Sequence, residues 1–142
     1  MSEDSSVDPG GPTEEPTGRP LTPEETARVV ELSQHFAREG MTSELAGFVD
    51  HGLPADVADH DGNTLLMLAA YHGHAETVAM LLDRGADADR RNGRDQSPVA
   101  GALFKGEDDV VRLLVAAGAD LDAGTPSGRA TAQMFGRADL LP

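Results

Sequence analysis

The sequence predicts an all-α fold, a solenoid of stacked helix–turn–helix units behind a short acidic tail. Three observations predict it. The chain repeats itself at an interval of 33 residues, so that Gly85-Ala86-Asp87 returns as Gly118-Ala119-Asp120. Glycines punctuate the same grid: Gly73 falls on Gly106 and, one period back, on Gly40, while Gly85 falls on Gly52 and Gly118. Between the glycines, apolar residues recur at helical spacing. Two short helices cannot bury their apolar faces alone, but stacked pairs can, so the unit has to repeat.

The N-terminal stretch stands apart. Residues 1–20 hold five acids against one arginine, Arg19, with Ser, Pro, Gly and Thr filling most of the rest. Such a segment buries too little apolar surface to offset its ordering entropy, so residues 1–21 are expected to be a disordered acidic tail. The folded domain is expected over 22–142. It begins at Thr22-Pro23-Glu24-Glu25, with Thr22 as N-cap, Pro23 at the first helical position and Glu25 closing a capping box. Val29, Val30, Leu32 and Phe36 follow at helical spacing, and Gly40 stops the run. A shorter helix fits 43–51, closed by Gly52. Together these form an N-terminal capping pair over 22–58.

Two full units follow, at 59–91 and 92–124. In each, a polar turn leads to a capping hydroxyl (Thr64 or Ser97) and a first helix. A glycine breaks that helix, a second apolar helix follows, and a glycine closes the unit. Glu107, Asp108 and Asp109 favour the start of their helix through its dipole. A truncated unit fills 125–142. Its first helix is expected at 130–136, and the grid places Gly128 on Gly62. Gly124-Thr125-Pro126-Ser127-Gly128 reads as the turn between repeats.

The pattern resembles the ankyrin repeat. The residues that carry it are Asp61-Gly62-Asn63-Thr64, Ala69-Ala70, Gly73-His74, Val78, Leu81-Leu82 and Gly85-Ala86-Asp87. The second unit keeps Ser97-Pro98, Ala102, Gly106, Val110-Val111, Leu113-Leu114 and Gly118-Ala119-Asp120. The resemblance implies an ankyrin-repeat solenoid with short turn or β-hairpin-like fingers. It also implies a structural His at position 74, in the inter-helix turn. The family's Thr-Pro-Leu-His turn is altered here to Thr64-Leu65-Leu66-Met67 and Ser97-Pro98-Val99-Ala100. The His that ties neighbouring turns is thus missing from both. Gly101 lies inside a helix, which costs roughly 1 kcal/mol relative to Ala. A moderately stable array is expected.

Composition narrows function. The formal net charge is -14, which disfavours nucleic acid and anionic membranes as partners. There is no cysteine, so disulfides, thiolate nucleophiles and Cys-based metal sites are absent. The acidic start Met1-Ser2-Glu3-Asp4 is unlike an export signal, and the longest apolar run, Leu65 to Tyr71, is too short to span a bilayer. A cytoplasmic location is expected. Asp59-His60-Asp61-Gly62-Asn63 begins like a calcium loop, yet Thr64 and Ala70 stand where that loop needs Gly and Glu. His60, His72 and His74 could be considered as metal ligands, but no zinc motif accompanies them. No P-loop or nucleophile-elbow pattern occurs. The chain is expected to be no enzyme and to need no cofactor.

What remains is a binding surface. Stacking leaves the turn tips and the ends of the first helices on one concave face, and in ankyrin proteins that face usually touches the partner. The resulting candidates are Arg38, His60, Asp61, Asn63, Tyr71, His72, Arg91, Arg94, Gln96, Phe104 and Lys105. They include the only Tyr and the only Lys of the chain. Tyr71 and Phe104 are one period apart and should stand side by side, on the order of 10 Å apart. Aromatic anchors among basic groups suit another protein with an acidic patch. The expected function is a protein-binding module acting as an adaptor, inhibitor or assembly factor. The alternatives are an effector- or immunity-type enzyme blocker and a His-based metal or small-ligand binder.

Overall fold

A computed structural model describes residues 20–142. The acidic segment expected before Thr22 lies, up to residue 19, outside the described residues. Seven α-helices follow one another: α1 (Pro23–Glu39), α2 (Thr42–Asp50), α3 (Leu65–Tyr71), α4 (Ala75–Asp83), α5 (Pro98–Lys105), α6 (Asp108–Ala116) and α7 (Gly128–Met134). A 3-10 turn, Ala138–Leu140, follows α7. The helices form two layers. The inner layer is α1, α3, α5 and α7, each packed on the next; the outer layer is α2, α4 and α6. Among the described residues there is no sheet. A single antiparallel bridge, Ala58 to Thr64, is the whole of the expected hairpin character.

Local chemistry explains the ends of the helices. Thr22 and Glu25 make the reciprocal capping box, with Glu25 N–H donating to Thr22 Oγ1 at 3.1 Å and Thr22 N–H to Glu25 Oε1 at 2.9 Å. Thr64, Ser97 and Ser127 each cap an inner helix by accepting the N–H three residues on. Two expectations need correction. The second helix runs from Thr42 to Asp50, not 43–51. In the last unit the first helix runs from Gly128 to Met134, not 130–136: Ser127 is a cap and Gly128 is helical, so Gly128 does not match the turn glycine Gly62. Ser97 to Ser127 is 30 residues, not 33. The final turn is three residues short, and this shifts the register of everything after it.

The core is aliphatic, as a chain so poor in aromatics requires. Leu45, Leu65, Leu66, Val78, Leu81, Val110, Val111 and Leu114 are fully buried between the layers. Gly101 also has a packing reason. A Cβ there would lie 3.3 Å from Met67 Sδ and 3.6 Å from the Tyr71 ring, so its absence lets α3 approach α5.

The units are tied through the turn that joins inner to outer helix. His74 hydrogen-bonds through Nε2 to the Arg38 carbonyl, at 2.7 Å. This is the structural His that the resemblance implied. Its ring lies over Gly40, where a Cβ would come within 2.5 Å of it, and Gly40 has φ +72°. Only glycine meets both demands. The next unit repeats the device with a different side chain: the Glu107 carboxylate covers Gly73.

A second tie was not foreseen. Asp56 Oδ1 accepts the Asp87 N–H at 2.8 Å, and Asp89 Oδ1 accepts the Asp120 N–H at 2.7 Å. Asp56, Asp89 and Asp122 are spaced at the repeat period, and Asp122 holds Arg129 at 3.0 Å. Part of the acidity of the chain is therefore spent on building the stack.

Candidate functional site

The fingers before α3 and α5 set the floor of the groove. In the first, Asp59 Oδ1 accepts the N–H groups of Asp61 and Asn63, both at 2.9 Å. The apparent calcium ligand is thus a turn former. In the second, Asn92 does the same for Arg94 at 2.9 Å and Gln96 at 3.0 Å. Its amide also donates to Asn63 Oδ1 at 2.9 Å and to Gln96 Oε1 at 3.2 Å. The Gly93 N–H donates to the Asp61 carbonyl at 2.8 Å, and the Thr125 N–H to the Asp95 carbonyl at 2.9 Å. The fingers are therefore tied by backbone and Asn92, in place of the missing turn His.

Three adjoining concavities run across this face. One of about 490 Å³ lies between the fingers and is lined by His60, Asp61, Asn63, Asn92 and Arg94. One of about 210 Å³ climbs α3, lined by Asn63, Met67, Tyr71, His72, Arg94 and Gln96. One of about 310 Å³ holds Tyr71, Arg94, Gln96, Phe104, Thr125 and Pro126. Arg94 is common to all three.

The structure so brings together His60, Asp61, Asn63, Tyr71, His72, Arg94, Gln96 and Phe104. Lys105 joins them, its Nζ 4.9 Å from the centre of the Tyr71 ring, at cation–π distance. Arg91 does not line the groove; it pairs with Asp95 at 2.9 Å. Arg38 stands at the far end, half-buried, close enough for its charge to bear on His72. Tyr71 and Phe104 share one concavity, and the ring packed on Phe104 is Phe135, edge-on at 5.5 Å. Phe135 escaped the sequence reading because the last unit was placed on the wrong register. Its signal was the cap at Ser127. Asn92 was also missed, although it stands one period after the turn former Asp59.

Electrostatics set this face apart. Arg84 pairs with Asp50, Arg91 with Asp95, Arg112 with Asp109, Arg129 with Asp122 and Arg137 with Asp108. Among the described residues, Arg28, Arg38, Arg90, Arg94 and Lys105 have no carboxylate partner; of these, Arg94 lines the concavities, Lys105 lies over Tyr71 and Arg38 bears on His72. The His72 ring feels the concentration of charge. Its pKa is held below the usual histidine value, first by loss of water, then by the charges of His74, Lys105 and Arg38, with Glu39 opposing.

This has a consequence for stability. A histidine with a lowered native pKa contributes stability that is complete above its ordinary value of 6.5 and is lost as pH falls from there through the native value. The full-length chain is expected to lose part of its stability between pH 7.5 and 5.5. His72→Gln should lessen that loss, as read from urea midpoints at both pH values. An unchanged slope in the variant would assign the loss to other groups.

Among the described residues no three His, Asp or Glu side chains converge as a metal site would require. The His72 and His74 rings stack at 6.5 Å, but His74 is committed to Arg38, and His60 lies between the fingers. No helix among the described residues is long and apolar enough to cross a membrane.

Paired helices in two layers, joined by fingers on a 33-residue period, define an ankyrin stack. A family model described as ankyrin repeats (three copies) matches residues 34–125, and the chain belongs to that family. Ankyrin repeats are generally protein–protein interaction modules. The chain is also similar to the ankyrin repeat protein PA3287 of Pseudomonas aeruginosa, at 42% identity over 62 residues. That match covers 44% of this chain and 36% of the relative, so it spans about a third of that protein's length.

Proposed function

We propose that the chain is a non-enzymatic binding module whose concave groove docks an acidic surface of another protein. The carrying observation is the charge arrangement. In a chain of net charge -14, the arginines at 84, 91, 112, 129 and 137 are matched to aspartates, while among the described residues Arg94 and Lys105 stay unmatched beside Tyr71 and Arg38 unmatched near His72; the other unmatched cations, Arg28 and Arg90, lie outside the groove. Unpaired cations around an aromatic ring await an anionic partner, and the overall acidity turns away nucleic acid. The residues assigned to the partner are Arg38, His60, Asp61, Asn63, Tyr71, His72, Arg94, Gln96, Phe104 and Lys105, with Arg91 at the rim. The role is that of an adaptor, inhibitor or assembly factor for one partner in the cytoplasm. The domain division at residues 21, 58, 91 and 124 is part of the same proposal.

The test compares the wild type with a Tyr71→Ala, Arg94→Glu, Phe104→Ala variant shown by circular dichroism to be folded. Each is used to capture partners from lysate of the source organism. A protein held by the wild type is expected to be lost from the variant, with a weakening of at least a hundredfold when the purified pair is titrated. Equal capture by both would move the interface away from this groove.

A further inference from the structure

The caps of the inner helices give a register for the whole groove. Seven residues after Thr64, Ser97 and Ser127 stand Tyr71, Phe104 and Met134; eight residues after them stand His72, Lys105 and Phe135. Along the stack the pair therefore changes from Tyr-His to Phe-Lys to Met-Phe. At the last unit it is wholly apolar, and it is uncovered: Met134 is 62% exposed and Phe135 48%, beside Phe104 of the unit before at 54%. The edge-on contact of Phe104 with Phe135 joins those two rings, with the exposed Met134 next to Phe135 in the chain. No free cation lies on this strip among the described residues, since Lys105 leans back over Tyr71 and Arg137 faces Asp108 at 3.4 Å. The groove has a cationic half and an apolar half, in contact at Phe104.

We propose that the groove takes an extended partner segment in which a short acidic run is joined to an apolar anchor. The acids lie along His72, Arg94 and Lys105, and the anchor packs on Phe104, Met134 and Phe135. This rests on the groove being the binding face. Units stack on the order of 10 Å apart, and an extended chain advances about 3.3 Å per residue, so anchor and acids are about three to six residues apart. The charge of the first half selects the acidic run, and contact with water disfavours leaving the second half bare. Residues 1–19 of the chain supply acids, but beyond proline their larger apolar side chains are only Met1 and Val7. A second copy fits poorly. Two-fold pairing of the grooves sets apolar strip against cationic half, or each half against its like, and the cations stay unmatched.

The test uses the full chain and four synthetic nine-residue peptides. One has four glutamates, a three-residue Gly-Ser spacer and a Phe-Leu anchor; one has the blocks in reverse order. The third replaces the anchor by serines, and the fourth replaces the glutamates by glutamines. Binding is read by fluorescence anisotropy at low and high salt. One of the two bipartite peptides is expected to bind at least about tenfold more tightly than either single-block control. Phe135→Ala should weaken only peptides that carry the anchor, by about tenfold, and leave the salt dependence in place. Arg94→Gln with Lys105→Gln should weaken every acidic peptide and flatten the salt dependence. Met134→Ser serves as a second variant should Phe135→Ala lose its fold. If the serine peptide binds as well as the bipartite ones, or Phe135→Ala weakens both alike, the anchor half is overturned and the groove reading stands. If no acidic peptide binds the wild type, both fail. Concentration-dependent dimerisation that Phe135→Ala abolishes would overturn the proposal in favour of a second copy.

Discussion

Leu66→Ala is expected to destabilise the fold by about 2–5 kcal/mol, the range for removing a fully buried leucine from a core that relaxes only in part. Leu66 is 0% exposed and sits on α3. That helix packs on α1, on its partner α4 and on α5, so it is the link between the first unit and the rest. In a stack, stability is close to a sum of unit and neighbour terms. Loosening α3 weakens its own unit and both interfaces at once. Against a typical total of about 5–15 kcal/mol, such a loss can unfold much of the array at 37 °C. Urea denaturation followed by circular dichroism measures it. A loss under about 1 kcal/mol would mean that the neighbours close over the cavity.

Asn92→Ala is expected to cost about 2–3 kcal/mol and to weaken partner binding as well. Asn92 is 9% exposed, and its side chain makes four hydrogen bonds. Two hold the N–H groups of Arg94 and Gln96 and so shape the finger that carries them. One crosses to Asn63 and sets the spacing between fingers. Without them Arg94 loses its fixed place at the meeting point of the three concavities. Asn92→Asp separates the two roles. A carboxylate still accepts the Arg94 and Gln96 N–H groups but cannot donate to Asn63. It should recover part of the stability lost by the alanine variant. Equal losses in the two variants would show that the cross-finger bond carries the effect.

Much of the fold was legible because it rests on local rules. Capping hydroxyls, left-handed glycines and apolar spacing act within a few residues, and they mark the helices to within a residue or two. The last unit was misread for a physical reason. A period is informative only while loops keep their length, and the shortened turn before Ser127 breaks it. Phe135 and Met134 then fell outside the predicted groove. The reading of His74 succeeded because the stack needs a side chain over Gly40, and the resemblance marked which one.

The sequence by itself determined the repeat, the helices, the aliphatic core and the face where aromatic and basic side chains gather. These follow from periodicity, which a chain carries in its order of residues. Only the tertiary structure decided which charges are free. Arg91 with Asp95 and Arg112 with Asp109 are neighbours along the chain, but whether Arg84 meets Asp50 or Arg137 meets Asp108, some 30 residues away, depends on how the units stack. The same stacking paired Phe104 with Phe135, laid Lys105 over Tyr71, and made Asp56 and Asp89 ties between units.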